Sequence, residues 1–305
     1  MSSLITTGSV KRALMPGVRV WAGLDYKEHE QEYKELFETK RSDKAFEIEM
    51  TMGPTGLFTV KNQGGNVGSD SYSQGFKKEY THVEYSSSLT LTHAAIVDNQ
   101  YAEIAEYRAK QLGRAARITK ETVAAAVPNL ATDTAYVGAD GLPLASTAHL
   151  MEKGGTYRNR PTSGTDLSEA SLEQAVIDMA DYRDGANKRI KVMPRKLVVP
   201  VALMFKAERI LNSSNQNDTA NNAINALRSK GLFSGGATMN HYLTDTNAWF
   251  VLTDIPNGLI HYQREDLRFA DDVDVQSENV RFQAVERYSF GWTDPRCIYY
   301  NPGSS

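Results

Sequence analysis

Residues 98–128, DNQYAEIAEYRAKQLGRAARITKETVAAAVP, form the longest stretch of the chain with a continuous helical pattern. Asp98 is suited to cap its start, and Pro128 is expected to end it. At ~1.5 Å per residue the helix spans about 45 Å, which is long for a globular domain. We call it the spine helix and expect the fold to be built along it. Its apolar stripe is predicted at Tyr101, Ile104, Ala105, Leu112, Ala116 and Val123.

Two segments of different character precede the spine helix. Residues 1–45 form a polar, highly charged arm with a thin apolar stripe that includes Tyr33 and Phe37, and such a stripe needs a partner surface. In residues 46–92 the apolar positions alternate on both sides of a tip, at residues 61–75, that is rich in Gly, Ser and Asn. This pattern predicts an extended β-hairpin with a half-buried apolar side. A two-stranded ribbon of this kind is barely stable alone and persists because something lies under it.

The region after the spine helix has the pattern of a compact mixture of helices and strands. Ser168 is predicted to cap a helix with apolar positions at i, i+3, i+4, i+7 and i+8, and Pro200 is placed to start another. The polar stretch from Asn212 to Asn225 predicts an exposed loop. Short strands are predicted at Thr134–Val137, Leu197–Val199, Tyr242–Thr244, Ala248–Leu252 and Leu259–Tyr262.

The clearest strand pattern closes the chain. Aromatic and aliphatic residues from Val280 to Trp292 occupy alternate positions, with Phe282, Tyr288 and Phe290 among them. Because strand side chains alternate between faces, these residues are predicted to be buried beneath the spine helix. The intervening residues Arg281, Gln283 and Arg287 are predicted to face solvent or a neighbouring subunit.

Composition excludes several classes of protein. The chain has 305 residues, enough to bury a good core, and 41% of them are hydrophobic. A formal charge of −3 argues against a dedicated nucleic-acid binder. No apolar run approaches ~18 residues, so no membrane span is expected, and the first residues lack the pattern of a signal peptide. The single cysteine, Cys297, cannot form an internal disulfide and fits a reducing compartment.

A search for catalytic and ligand-binding motifs predicts none. The chain has no phosphate-binding loop and no nucleophile elbow. Asp140, Ser146 and His149 are the residue types of a hydrolase triad, but their turn-rich context favours a structural role. We therefore expect no catalytic residues, no bound cofactor and no metal site. The basic residues on the spine helix could meet phosphate, although a solvated or subunit-facing role is favoured.

Several stretches of residues 95–300 resemble the major capsid proteins of tailed double-stranded-DNA bacteriophages, which have the Hong Kong phage-type fold. More narrowly, these stretches are similar to the Mu-like phage major head subunit family. The arm and hairpin match that family by their order in the chain rather than by motifs. The matching stretches are Asp140–His149, Gly154–Thr156, Leu167–Glu173, Pro194–Pro200, Tyr242–Asp245, Asn247–Phe250 and Gly291–Arg296.

The resemblance implies an α+β chain with the phage major capsid fold. Residues 1–45 would be an N-terminal arm and 46–92 an extended loop. Residues 93–136, with the spine helix, and 264–305, with the closing strands, would form a peripheral domain. Residues 137–263 would form an axial domain near the centre of a hexamer or pentamer.

The function implied is that of a structural, non-enzymatic subunit of an icosahedral phage head. Hexamers and pentamers would enclose packaged double-stranded DNA and contact it non-specifically, without a membrane. Assembly would take place in the host bacterial cytoplasm, with portal and decoration proteins as possible partners. Because no long helical segment precedes the arm, we expect any scaffold to be a separate protein.

The residues expected to contact neighbouring subunits come from the arm, the hairpin and the closing strand. Lys61 and Asn62 near the hairpin tip are also the residue types that some relatives cross-link between subunits. Two alternatives remain open, an encapsulin-like nanocompartment shell of the same fold and a soluble hydrolase. The candidate contact residues are Tyr33, Phe37, Phe58, Lys61, Phe76, Arg281 and Arg287.

Overall fold

A computed structural model describes most of the chain from residue 30 onward. The described residues are 20, 22–24, 26–27, 30–51, 53, 56–68, 74–92, 101–216, 223–273 and 279–304. Asp98, the predicted cap of the spine helix, and the first 19 residues of the arm lie outside these ranges. Within them, none of the helices combines the length and apolarity that crossing a bilayer requires.

The spine helix is α1, Tyr101–Asn129, and Pro128 lies in its last turn instead of ending it. Its buried face differs from the predicted stripe, because Ala116 and Val123 are only half-buried. The arm crosses the helix at Gly113, where an added Cβ would lie 2.1 Å from the Ala22 carbonyl oxygen. Glycine is therefore required there by a close approach of two backbones. The buried face is Ala109, Leu112, Gly113, Lys120, Glu121, Ala124, Ala125 and Pro128.

The spine helix packs on a four-stranded sheet whose neighbouring strands are, in order, β1 (Glu38–Arg41), β10 (Leu259–Val273), β11 (Val280–Trp292) and β4 (Val83–Leu91). The two long strands, β10 and β11, are antiparallel, and the arm supplies the parallel edge strand β1. The arm therefore contributes to the folded core, although its composition predicts a segment that needs another surface. Two strand pairs lie outside the four-stranded sheets, β2 (Phe46–Met50) with β3 (Lys77–Thr81) and β5 (His149–Leu150) with β6 (Thr156–Tyr157).

The predicted alternation of the closing strand is confirmed in the first half of β11. Phe282 and Ala284 are buried, whereas Arg281 and Gln283 are exposed. In the second half both faces are covered, and Phe290 and Arg287 are each half-buried. The covering group is Tyr80, whose ring would contact any Cβ at Gly291. A period-two pattern fades in this half because neither face of the strand meets solvent.

A second sheet carries the compact region, in the order β12-β9-β7-β8. It packs against α2 through a core that includes Leu172, Met179 and Trp249. The last strand, β12, pairs with β9 and so belongs to this sheet, although residues 264–305 were expected to form closing strands of the peripheral domain. The elements are β7 (Pro194–Pro200), β8 (Ala237–Asn240), β9 (Trp249–Thr253), β12 (Ile298–Asn301), α2 (Glu169–Ala180), α3 (Met204–Asn212) and α4 (Ala226–Ser229).

The local signals of this region are confirmed at some positions and wrong at others. Ser168 caps α2 in a reciprocal capping box with Ser171, as its position predicts. Residues Thr134–Val137 form turns instead of a strand, and the Asp133 side chain accepts a hydrogen bond from the Ala135 backbone amide. The strand predicted at Tyr242–Thr244 is also wrong, because Asn240 turns the chain by accepting from the Tyr242 amide. Asn225 is buried as the cap of α4, within a stretch expected to be exposed.

Candidate inter-subunit surface

The extended hairpin consists of β2 (Phe46–Met50) paired with β3 (Lys77–Thr81). Its faces are the reverse of those predicted. The apolar side chains of Phe46, Ile48 and Met50, which we call the hairpin stripe, are 47%, 53% and 49% exposed. The glutamates between them face the subunit and are less exposed. The side predicted to be half-buried thus faces away from the subunit's own core.

Charged groups of the subunit explain this orientation. Glu47 accepts a hydrogen bond from Ser42 Oγ at 2.8 Å and pairs with Lys44 at 3.0 Å. The Lys44 ammonium lowers the pKa of the Glu47 carboxyl. Glu49 pairs with Lys40 at 3.1 Å and accepts from the Tyr262 hydroxyl. Because the glutamate side is paired within the subunit, strand alternation turns the apolar side outward.

The hairpin is anchored to the core by one aromatic residue. Tyr80 in β3 is 3% exposed and packs edge-on against Tyr262, with ring centroids 5.2 Å apart. Its hydroxyl shares a 2.7 Å hydrogen bond with Thr293 Oγ1. Burial raises the pKa of the Tyr80 phenol above its ordinary range. The strands of the hairpin are therefore fixed on the subunit, while the tip extends beyond them.

The described part of the tip, residues 56–68, has no regular structure beyond a turn at Asn62–Gly65. Gly64 has a φ of 79° in this turn, which favours glycine. Of the predicted contact residues, Phe58 and Lys61 lie here and are exposed. The tip adds four apolar side chains to the surface: Leu57, Phe58, Val60 and Val67, at 78%, 106%, 93% and 77% exposure. Together with the stripe they form an apolar surface that the described subunit leaves uncovered.

Two predicted contact residues of the arm are instead buried inside the subunit. Tyr33 and Phe37 are each 4% exposed and belong to the core cluster beneath α1. Both rings pack edge-on against Phe290, with centroids 5.4 and 5.0 Å away. The prediction that they face a neighbour is corrected by this burial. The arm stripe does find a partner surface, but that surface is the chain's own sheet and helix.

The remaining predicted residues lie at three separate places. Phe76 is half-buried at the tip end of the two hairpin strands, where its backbone bonds with Thr51 close the ribbon. Arg281 is exposed on β11, opposite Asp272 of β10 in the register. Arg287 is half-buried, and its Nε donates to the His82 carbonyl at 3.4 Å. The structure therefore does not bring these seven residues together into one site.

A buried ionic network that no sequence pattern predicted lies between α1 and the first sheet. Lys120 Nζ donates to Glu286 Oε1 at 2.5 Å and to Gln263 Oε1 at 2.7 Å, and the Lys120 and Glu286 side chains are 4% and 5% exposed. Burial lowers the pKa of Lys120, and the Glu286 carboxylate opposes that effect. The basic residues of the spine helix, Lys120 among them, were predicted on a solvated or subunit-facing surface, but the close contact of α1 with β11 makes Lys120 internal.

In the described residues, Asp140, Ser146 and His149 make structural contacts, and no metal-binding group is present. His149 Nδ1 lies 2.6 Å from Asp140 Oδ2, but Nε2 faces the Leu144 carbonyl oxygen and the side chain is fully buried. Ser146 Oγ instead accepts from the Ala148 amide, so the three residues do not form a triad. No group of three or more His, Cys, Asp or Glu side chains within the described ranges could hold a metal ion.

Comparison with known proteins places this architecture among virus shells. A family model described as phage capsid protein matches residues 76–301. The capsid of an empty GTA particle is similar at 14% identity and a TM-score of 0.56, with 90% of each chain covered. A search of curated proteins finds no match.

Two further solved structures share the fold. The capsid of Cyanophage P-SCSP1u is similar at 13% identity and a TM-score of 0.54, covering 87% of this chain and 86% of its own. A virus-like particle from Pyrococcus furiosus is similar at 13% identity and a TM-score of 0.53, covering 93% of this chain and 97% of its own. At these levels of sequence identity, the similarity to the solved structures establishes the fold of this chain.

The family match spans β3 of the hairpin, the spine helix, three strands of the first sheet and the whole second sheet, which is about three quarters of the chain. The mixed helix and strand architecture agrees with the phage capsid fold of the similar structures. The chain therefore belongs to the phage capsid protein family and is a structural subunit of a phage head shell.

Proposed function

We propose that the chain assembles into pentamers and hexamers that close into the icosahedral head of a tailed phage around double-stranded DNA. The observation that carries this proposal is the uncovered apolar surface formed by the hairpin stripe and tip. Family membership supports a shell, and this surface supplies a physical reason for the subunits to associate. In this proposal each hairpin lies over the adjacent subunit.

The energy available from the hairpin stripe is sufficient to favour assembly. Fully burying an Ile, Phe or Met side chain contributes roughly 1.5–3 kcal/mol. The three stripe residues are about half exposed, so covering them yields on the order of 2–4 kcal/mol per subunit before the tip is counted. In a closed shell each subunit both gives and receives such a contact, which makes the gain cooperative.

The two sheets suggest separate places in the capsomer. We assign the second sheet with its helices, mainly within residues 137–263, to the axial domain. The spine helix and first sheet form the peripheral domain, while residues 1–45 supply the arm. Lys61, Phe58, Phe76, Arg281 and Arg287 remain candidates for contact because each keeps some exposed surface.

The remaining partners follow from the same proposal. Assembly takes place in the host bacterial cytoplasm, with a separate scaffold, a portal and decoration proteins as possible partners. DNA is contacted non-specifically, since a mildly acidic shell avoids the strong phosphate binding that would oppose filling and ejection. The chain has no enzymatic role in this proposal, and the Mu-like branch is the one its motifs resemble.

The experiment is an aspartate substitution in the hairpin stripe. Ile48→Asp places a charge where the proposal requires an apolar contact, and the matched control is Ile177→Asp on α2, which is 62% exposed. Both variants are expected to fold, as judged by circular dichroism. A loss of roughly 1.4–3 kcal/mol per contact predicts at least about tenfold fewer particles for Ile48→Asp alone.

Three outcomes separate the alternatives. Equal particle yields from both variants would contradict the role of the stripe. Loss of folding in Ile48→Asp would mean that the hairpin belongs to the subunit's core. Shells that form without phage partners around an enzyme cargo would favour the nanocompartment of the same fold.

Replacing residues 57–68 with a short Gly-Ser linker applies the same test to the tip. This variant is expected to fold but to lose the ability to form stable shells.

A further inference from the structure

The arm root, which we define as residues 30–41, is held by the pairing of β1 with β10, by the buried rings of Tyr33 and Phe37, and by polar contacts. Three of these polar contacts are made by residues 32–35. The Tyr33 backbone amide donates to Glu121 Oε2 of α1 at 3.0 Å. Glu32 accepts from the His241 backbone amide at 2.9 Å and lies 2.6 Å from His241 Nδ1. Glu35 pairs with Lys196 of β7. Two of these contacts are partly exposed, whereas the one to Glu121 is internal.

Glu121 is poorly compensated for so buried a carboxyl group. Glu121 is 3% exposed, and its Oε1 atom has no hydrogen-bond partner in the structure. Arg117 lies one turn earlier on α1, but its Nε and Nη1 are also buried without a partner. A buried carboxylate with one unsatisfied oxygen is costly, and protonation removes most of that cost.

The charged groups around Glu121 do not neutralise it. Glu32 approaches from the arm root and repels the carboxylate, and Lys120 on the same helix favours it only weakly. The Lys120 ammonium is already bonded to Glu286. Tyr33 and Tyr242 face Glu121 from the arm root and from the turn after β8. Burial is the main cause that raises the pKa of the Glu121 carboxyl to about 7, against the lowering effects of the Tyr33 and Glu32 backbone amides.

We propose that Glu121 is a proton-controlled latch, which holds the arm root on the spine helix when its carboxyl is protonated and loosens it when the carboxyl is ionised. Protonation leaves Oε2 free to accept from the Tyr33 amide and removes the repulsion with Glu32. Ionisation restores both that repulsion and the unpaired buried charge. The latch therefore controls the position from which the arm leaves the subunit.

The direction of the pH effect follows from proton linkage. A carboxyl whose pKa rises from 4.5 to about 7 on docking binds its proton more tightly when the arm root is docked. Docking is then fully favoured below pH ~4.5, weakens as the pH rises, and reaches its minimum above pH ~7. Between about pH 6 and about pH 8 the opening equilibrium increases by roughly tenfold.

This inference rests on the proposed function, in which the arm contacts other subunits, because releasing its root would change the reach of the arm. The test is nevertheless independent of shell formation. Hydrogen–deuterium exchange of the peptide covering the arm root is measured on the full chain between about pH 6 and about pH 8. Rates are corrected for the intrinsic pH dependence of exchange, and light scattering checks that the oligomeric state is constant.

Three variants identify the titrating group. Glu121→Gln keeps an oxygen for the Tyr33 amide but cannot ionise, so its arm root should stay protected and lose the tenfold response. Glu208→Gln, an exposed glutamate of α3, is the matched control and should behave as the wild type. His241→Gln removes the imidazole that contacts Glu32 of the arm root and should keep the response.

Two results would overturn the latch. One is a wild-type arm root whose corrected protection is constant over this pH range. The other is a response that survives in Glu121→Gln or disappears in His241→Gln, since His241 would then be the switch. If Glu121→Gln fails to fold, the wild-type and His241→Gln measurements decide the question. Neither result would alter the shell assignment, which is tested by particle yield.

Discussion

The substitution Gly113→Ala tests whether the arm docks across the spine helix. Alanine is favoured over glycine within a helix by about 1 kcal/mol, so an uncovered α1 should be stabilised by the change. In the structure the new Cβ would lie 2.1 Å from the Ala22 carbonyl oxygen. Ordinary carbon–oxygen contacts are about 3.3 Å or longer, so the backbone of the arm must move by more than 1 Å.

The size of the penalty follows from what must move. The obstructing atom belongs to the backbone, so no side-chain rotation relieves the clash. Overpacking of a tight contact costs roughly 1–3 kcal/mol, which offsets or exceeds the gain in helix propensity. We therefore expect Gly113→Ala to leave the free energy of unfolding unchanged or to lower it by up to about 2 kcal/mol.

The assay is urea unfolding of the unassembled chain, followed by circular dichroism. Ala115→Gly, at an exposed position of α1, calibrates helix propensity and should lose about 1 kcal/mol. Removing residues 1–27 takes the obstructing carbonyl away, so Gly113→Ala should become stabilising in the truncated chain. A gain of about 1 kcal/mol in the full-length chain would refute the docking of the arm across α1.

Two further predictions concern the interface between α1 and the first sheet. Phe282→Ala should lower the free energy of unfolding by about 3–5 kcal/mol because it leaves a core cavity, while Arg281→Ala should lower it by under about 0.5 kcal/mol. If the denaturant midpoints of the two variants fall in the reverse order, the faces of the strand are assigned backwards. Lys120→Met should cost about 3–5 kcal/mol by leaving Glu286 unpaired, and adding Glu286→Leu should recover most of that loss. If the double variant Lys120→Met with Glu286→Leu is no more stable than Lys120→Met, the Lys120–Glu286 pair is not isolated from water, contrary to the structure.

The elements that sequence patterns predicted correctly are those whose evidence is local. The spine helix follows from a long helical period, α2 from the cap at Ser168, and β9 from a short apolar run. The first half of β11 alternates clearly, because solvent covers only one of its faces. In each case the residues that decide the structure lie within a few positions of one another, so the pattern contains the necessary information.

The features that were missed depend on which surfaces meet in space. The burial of Lys120 depends on Glu286, which lies 166 positions away along the chain. The alternation of the hairpin was recognised, but the pattern cannot say which side the subunit covers. Glycine at position 113 was the one available sign of a close approach, since it interrupts an otherwise strong helical sequence. Tyr33 and Phe37 show that an apolar stripe on a polar arm can pack on its own subunit.

The central claim is that this chain forms a shell through contacts between copies, and electron microscopy of the purified protein tests it most directly. The account predicts closed icosahedral particles built of five-fold and six-fold capsomers, with the hairpin of each subunit over its neighbour and Ile48 buried beneath it. A chain that remains monomeric under all assembly conditions, with an ordered hairpin and an exposed stripe, would contradict it.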